Sequence, residues 1–202
     1  MKCKVSAMER LRFGCDGKGI RTLICLSGCP LRCKFCANPY TWNSSENSRL
    51  YSAEELLDEL SVDDVYFRAT GGGITFGGGE PLLWAPFIRA FVEKAPSKWN
   101  FAMETSLAVP FKSVKTVADL IDVFFVDIKT LDRRTYIKYT GGAVGLAKRN
   151  LRRLIKLVGA ERVIVRVPLI KGYVDAKQRE KTVKKLKRMG ATELDLFEYV
   201  CK

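Results

Sequence analysis

The 202-residue sequence contains no histidine. Zinc sites draw on His, or on C-x2-C pairs repeated at a distance, to close a tetrahedron. Without histidine or a second C-x2-C pair, a zinc centre is a poor fit. No apolar run approaches the roughly 18–20 residues of a membrane span. Met1-Lys2-Cys3-Lys4-Val5 has no apolar stretch behind its charges, so a cytoplasmic protein is expected rather than a secreted or membrane one. No low-complexity tract, solenoid repeat or Pro/Gly-rich linker divides the sequence, and residues 1–202 are expected to form a single domain.

Seven cysteines do not read as a disulfide scaffold. The number is odd, the chain is long enough to build a core, and three of them crowd into eight residues. The net charge of +13 is unevenly placed. Residues 1–128 carry 15 Lys/Arg and 15 Asp/Glu, whereas residues 129–202 carry 20 and 7 and so supply all of the excess. The simpler reading of that basic part is a set of solvated helix faces, as in Lys181–Arg188, where Val183 and Leu186 share one side. An acidic protein partner is the alternative; nucleic acid is disfavoured because no aromatics interleave with the charges.

Strand-like and helix-like patterns alternate along the chain. Strands are expected at Thr22–Leu26, Gly73–Phe76, Asn100–Glu104, Val123–Ile128, Arg162–Ile170 and Glu193–Tyr199. Helices are expected at Ser52–Leu60, with a capping box from Ser52 to Glu55, and at Leu82–Val92, Ser113–Leu120, Asp132–Tyr139, Gly145–Val158 and Ala176–Met189. Six β/α units imply a parallel sheet with helices outside. An incomplete (β/α)6 TIM-like barrel fits better than the eightfold form, which takes about 250 residues. Such folds place their sites at the carboxyl ends of the strands. Cys29–Cys36, Gly77–Glu80, Glu104-Thr105-Ser106 and Asp127-Ile128-Lys129 all fall there.

Cys29, Cys33 and Cys36 have the spacing C-x3-C-x2-C. Three thiolates on one loop can each ligate an iron of a cubane cluster, whose ligands are normally four cysteines. With the fourth missing, one iron stays open to an exogenous ligand. Cys3, Cys15, Cys25 and Cys201 have no ligand spacing among themselves, and Cys25 in its apolar strand reads as core.

This loop resembles the signature of the radical S-adenosylmethionine (SAM) superfamily. The wider run is similar to the pyruvate formate-lyase activating enzyme group, the glycyl-radical-enzyme activases. It comprises Asp16-Gly-Lys-Gly-Ile-Arg21, Gly28-Cys29 through Asn38, Thr41-Trp42 and Gly71–Glu80. The resemblance implies a [4Fe–4S] cluster on the three cysteines that chelates SAM and cleaves it reductively to a 5′-deoxyadenosyl radical. It implies a glycyl radical enzyme as protein partner and a flavodoxin- or ferredoxin-type reductant. Phe35 would then lie near the adenine, or simply anchor the loop. Gly78, Gly79 and Glu80 match the element that contacts the methionine amino group, a carboxylate suiting an ammonium; a glycine-rich turn is the plainer reading. Glu104, Thr105 and Asp127 resemble residues associated with a monovalent cation beside the SAM carboxylate, with Glu104 where the best-known member has Asp. Lys129 is associated with SAM itself. Arg166 would approach SAM or the substrate backbone, or else be a strand-face charge. Cys25 stands where a phenylalanine is typical, and the Pro-Tyr-His pattern common near the last strand is missing. Other small radical SAM enzymes fit the same motifs: an anaerobic ribonucleotide reductase activating protein, or a 7-carboxy-7-deazaguanine synthase-like enzyme. An iron–sulfur electron carrier or cluster-binding nucleic-acid protein is the remaining alternative.

Overall fold

Four consecutive strand segments are buried over nearly their whole length, and they set the centre of the structure. They are β2 (Ile20–Leu26), β4 (Gly73–Gly78), β5 (Asn100–Thr105) and β6 (Val123–Asp127). Near-continuous apolar strands of this kind need cover on both faces, which parallel sheets with crossover helices supply. The computed structural model, which describes residues 1–43 and 48–199, places these four side by side. It continues the parallel run through β7 (Val163–Arg166) and β8 (Glu193–Asp195). The six expected parallel strands are therefore present and adjacent.

The sequence reading missed two strands. β1 (Lys2–Phe13) pairs antiparallel with β2, and β3 (Arg49–Ser52) pairs antiparallel with β1. The described residues thus form one mixed sheet of eight strands in the order β3-β1-β2-β4-β5-β6-β7-β8. β3 and β8 are its two free edges, so the sheet matches a partial barrel and is not closed.

Two expected strands are shorter than their patterns. β7 stops at Arg166, two residues before Pro168, which has no amide to give the ladder. β8 stops at Asp195, and pairing resumes only as an isolated bridge between Leu169 and Glu198.

Seven α-helices occur among the described residues: α1 (Ala53–Leu60), α2 (Asp64–Thr70), α3 (Ala85–Val92), α4 (Phe111–Val117), α5 (Arg133–Thr140), α6 (Val144–Val158) and α7 (Ala176–Arg188). α2 was not anticipated. The Ser52 capping box forms, with Glu55 N–H donating to Ser52 Oγ at 3.1 Å and Ser52 N–H to Glu55 Oε2 at 2.6 Å. The helix expected from Leu82 starts later, after a 3-10 turn at Pro81–Trp84. α6 buries Val144, Ala147, Leu151, Leu154 and Val158 on one stripe and leaves Arg149, Arg152, Arg153 and Lys156 exposed. The basic part of the sequence is therefore largely the outer face of helices. No described helix is long and apolar enough to cross a membrane.

Arg21 is an exception to the outward placement of charge, being only 1% exposed. Its guanidinium donates to Thr75 Oγ1 (2.7 Å), the Ile74 carbonyl (2.6 Å), the Asn100 side chain (2.8 Å) and the Asn100 carbonyl (3.1 Å). It ties β2, β4 and β5 together near the ends where they enter the sheet. Burial lowers its pKa to about 10, and Asp16 and Asp122 oppose that shift. Arg21→Met strips partners from several buried acceptors at once, each worth about 1–3 kcal/mol when orphaned. Denaturant unfolding should show a loss of about 3 kcal/mol or more.

Candidate active site

At the carboxyl ends of β2 and β4 two loops meet backbone to backbone. Gly79 N–H donates to the Leu26 carbonyl (3.0 Å) and Glu80 N–H to the Gly28 carbonyl (2.8 Å). A Cβ on Gly79 would lie 2.2 Å from the Gly28 oxygen. Gly78 has φ +85°, and a Cβ there would lie 2.5 Å from Cys25 Cα. Only glycine permits both the positive φ and the approach.

From this seam the cysteine loop runs over α5. Arg32 N–H donates to the Thr140 carbonyl (2.8 Å) and Lys34 N–H to the Tyr139 carbonyl (3.0 Å), so Cys33 is gripped from both sides. Gly28 N–H closes the loop on the Thr41 carbonyl (2.6 Å). Phe35 packs on Tyr139 and Tyr173, with ring centroids 6.2 and 5.9 Å away, and also borders the cavity beside the loop. Anchoring the loop and lining the site are both open to it.

The cavity holds about 440 Å³. Cys29, Cys33, Cys36, Phe35, Gly78, Gly79, Glu104, Thr105, Asp127, Lys129 and Arg166 all line it. The three thiols are free and half-buried, while Cys3 and Cys25 are buried elsewhere in the core and Cys15 is exposed. Cys201 lies outside the described residues. Burial pushes the Cys29 thiol up to about 11 and the Cys33 thiol to about 12, with Lys129 partly offsetting the latter. Among the described residues no group of three or more Cys, Asp or Glu side chains is placed to hold a metal ion. Three thiols that share a cavity without converging on a point suit a ligand larger than one ion. The donor set, all sulfur and one short of four, fits a cubane with one open iron.

Glu80 is the expected site residue that the cavity does not reach. Its side chain is buried, and its carboxylate accepts from Thr105 Oγ1 (2.6 Å), Ser106 Oγ (2.6 Å), Ser106 N–H (2.9 Å) and Leu82 N–H (3.3 Å). Burial raises its pKa against these four donors. Its contacts fix Thr105 and Ser106, both of which line the cavity.

A charged quartet lines the same cavity as the cysteines. Asp127 and Arg166 are register partners on β6 and β7. Arg166 grips Asp127 with two bonds, 2.8 and 3.1 Å, and reaches Glu104 Oε1 at 2.6 Å. Lys129 Nζ lies 3.3 Å from Asp127. Burial alone would raise Asp127, but Arg166 and Lys129 outweigh it and hold the carboxyl at about 2. Glu104 has a single bond to the shared guanidinium, and desolvation keeps its pKa raised. Two cations and two carboxylates balance, and the acidic pair is closed by Arg166 and Lys129.

Several lining residues escaped the sequence reading: Glu9 and Arg12 from the unforeseen β1, and Tyr136 from α5. Tyr199, which also lines the cavity, lies with its ring 5.6 Å from Lys129 Nζ. Tyr136 carries no motif; only its place in the turn of α5 beneath the loop reveals it.

Arg166→Gln leaves two half-buried carboxylates without their shared cation, a change worth about 1–3 kcal/mol, below the figure for a fully buried pair. In the parent, the contribution of Asp127 is complete above the ordinary carboxyl value of about 3.9 and fades as the pH falls through about 2. In the variant the carboxyls take up protons at higher pH. Guanidinium unfolding should therefore show a larger deficit at pH 8 than at pH 4.

The sequence matches the Radical SAM superfamily over residues 23–192. It is 34% identical over 172 residues to the pyruvate formate-lyase-activating enzyme of Staphylococcus aureus, a span of 80% of this chain and 66% of that protein. In fold it resembles Streptococcus suis SuiB bound to precursor peptide SuiA (TM-score 0.65, 16% identity, 85% of this chain and 37% of that one). It also resembles native anSMEcpe with bound AdoMet and Kp18Cys peptide (TM-score 0.63, 18% identity, 87% and 49%). Homologous to the pyruvate formate-lyase-activating enzymes and to the catalytic domains of radical SAM oxidoreductases, the chain belongs to the radical SAM superfamily.

Proposed function

We propose that this chain is a radical SAM enzyme that installs a glycyl radical on a partner enzyme. The observation that carries the reading is that three free thiols and a balanced charged quartet line one cavity. Cys29, Cys33 and Cys36 would hold three irons of a [4Fe–4S] cluster. Bound there, the cluster supplies the electron that splits SAM into methionine and a 5′-deoxyadenosyl radical. The chain's own residues do the positioning. The Gly78-Gly79 backbone lets a ligand lie close, and Glu80 holds Thr105 and Ser106 in the cavity wall by their hydroxyls. The quartet has a cationic and an anionic side for the carboxylate and ammonium of an amino acid. Arg166 already bridges Glu104 and Asp127, so a monovalent cation beside SAM would have to share their carboxylate oxygens with it.

We read the six parallel strands as an incomplete (β/α)6 barrel. Its open seam between β3 and β8 gives a peptide loop a side entrance. The homology to pyruvate formate-lyase-activating enzymes supports a backbone glycine as hydrogen donor. A flavodoxin- or ferredoxin-type protein is the proposed reductant. A groove lined by Arg149, Arg152, Arg153, Lys156 and Arg188 offers an acidic protein face a place to dock.

Two experiments bear on this. After anaerobic reconstitution, reductant and SAM should yield 5′-deoxyadenosine from the parent and none above background from Cys33→Ala; a fully loaded parent that yields none would move the chain to an electron-transfer role. Activation of a glycyl radical partner should slow severalfold between 0.05 and about 0.5 M salt, because exposed charges more than a Debye length apart are screened. A salt-independent rate would remove the docking groove from the proposal.

A further inference from the structure

Among the described residues, one buried side-chain nitrogen or oxygen has no hydrogen-bond partner, the hydroxyl of Tyr136. An orphaned buried hydroxyl is costly, and a native chain that keeps one calls for an explanation. Tyr136 is completely inaccessible to solvent, yet it borders the cavity. It sits on α5 one turn before Tyr139 and Thr140, whose carbonyls hold the amides on either side of Cys33. Residues three and four apart share a helix face, so Tyr136 lies under the cysteine loop.

Cys33, Cys29 and Asp127 line the same cavity as Tyr136, and Glu80 stands behind its wall through Thr105 and Ser106. Three of these are already engaged. Glu80 accepts four hydrogen bonds, Asp127 is held by Arg166 and Lys129, and Cys29 takes a backbone N–H from Leu31. Lys129 acts on Cys33 from the charged quartet, and Tyr136 brings the unpartnered hydroxyl from the α5 side.

Resting on the cluster-bearing function above, we propose that the Tyr136 hydroxyl donates a hydrogen bond to the sulfur framework of the bound cluster beside Cys33 and raises its reduction potential. Reduction adds negative charge to the sulfurs, so a donor favours the reduced form, and hydrogen bonds to sulfur are among the factors that set such potentials. Tyr136 acts here as a positioning residue that tunes the site without touching the substrate.

The test is Tyr136→Phe, reconstituted beside the parent and matched for iron and sulfide content. A hydrogen bond to a charged acceptor is worth about a factor of ten. At a fixed potential the reduced fraction should fall about tenfold, a shift of about 59 mV to more negative values for a one-electron couple. Potentiometric titration followed by electron paramagnetic resonance reads it. An exchangeable-proton coupling to the reduced cluster should be present in the parent and missing in the variant. The metal-free variant should unfold at the same or a higher temperature, since it loses only an orphan. An unchanged potential at equal loading overturns the inference while leaving the proposed function standing, and so does an unchanged potential with weakened SAM binding, which would give the hydroxyl to SAM. A parent that takes up no cluster overturns both. Should Tyr136→Phe fail to fold, the exchangeable coupling in the parent decides, its absence overturning the inference.

Discussion

Everything at this site depends on a place where two backbones touch. Gly79 has no room for a side chain because the Leu26 and Gly28 carbonyls occupy it, and Gly78 is pressed against Cys25. The approach places the root of the cysteine loop against the end of β4, and through Glu80 it fixes Thr105 and Ser106 beyond β5. A methyl group at position 79 would separate the thiols from the rest of the cavity. The glycines are therefore a condition of the site, whatever ligand contact they also make.

The opposite wall is held by charge. Arg166 spans Glu104 and Asp127, so residues on three neighbouring strands are locked in one cluster that carries no net charge once Lys129 is counted. A buried quartet of this kind contributes less to stability than its short distances suggest, because each ion gives up hydration. What it supplies is orientation: four charged ends held fixed in the cavity wall.

Much of this could be read in the sequence, for identifiable reasons. The inner strands announce themselves because both faces are buried, leaving apolar runs such as Val123–Asp127 with little ambiguity. The cap at Ser52 is local chemistry and needs no tertiary information. β1 stayed hidden because only its first residues, Cys3 and Val5, are buried, while Lys2, Lys4, Glu9, Arg10 and Arg12 give it the look of a charged tail. The cysteine spacing gave the thiols directly. Glu80 carries more than its motif announces, since four donors of its own chain fix its carboxylate, a product of packing that no local pattern displays. Tyr136 lay beyond reach, since an unpartnered hydroxyl is a property of packing.

The grip of α5 on the cysteine loop has a further consequence. The last carbonyls of a helix ordinarily look for water or a cap; here two of them are taken by the amides flanking Cys33. Loop and helix are thus ordered together as the chain folds. In small zinc domains the metal supplies the folding energy, and the apo chain is unfolded. Here the loop is tied to α5 and to the Thr41 carbonyl by hydrogen bonds from its own chain, so this part of its order is independent of any ligand.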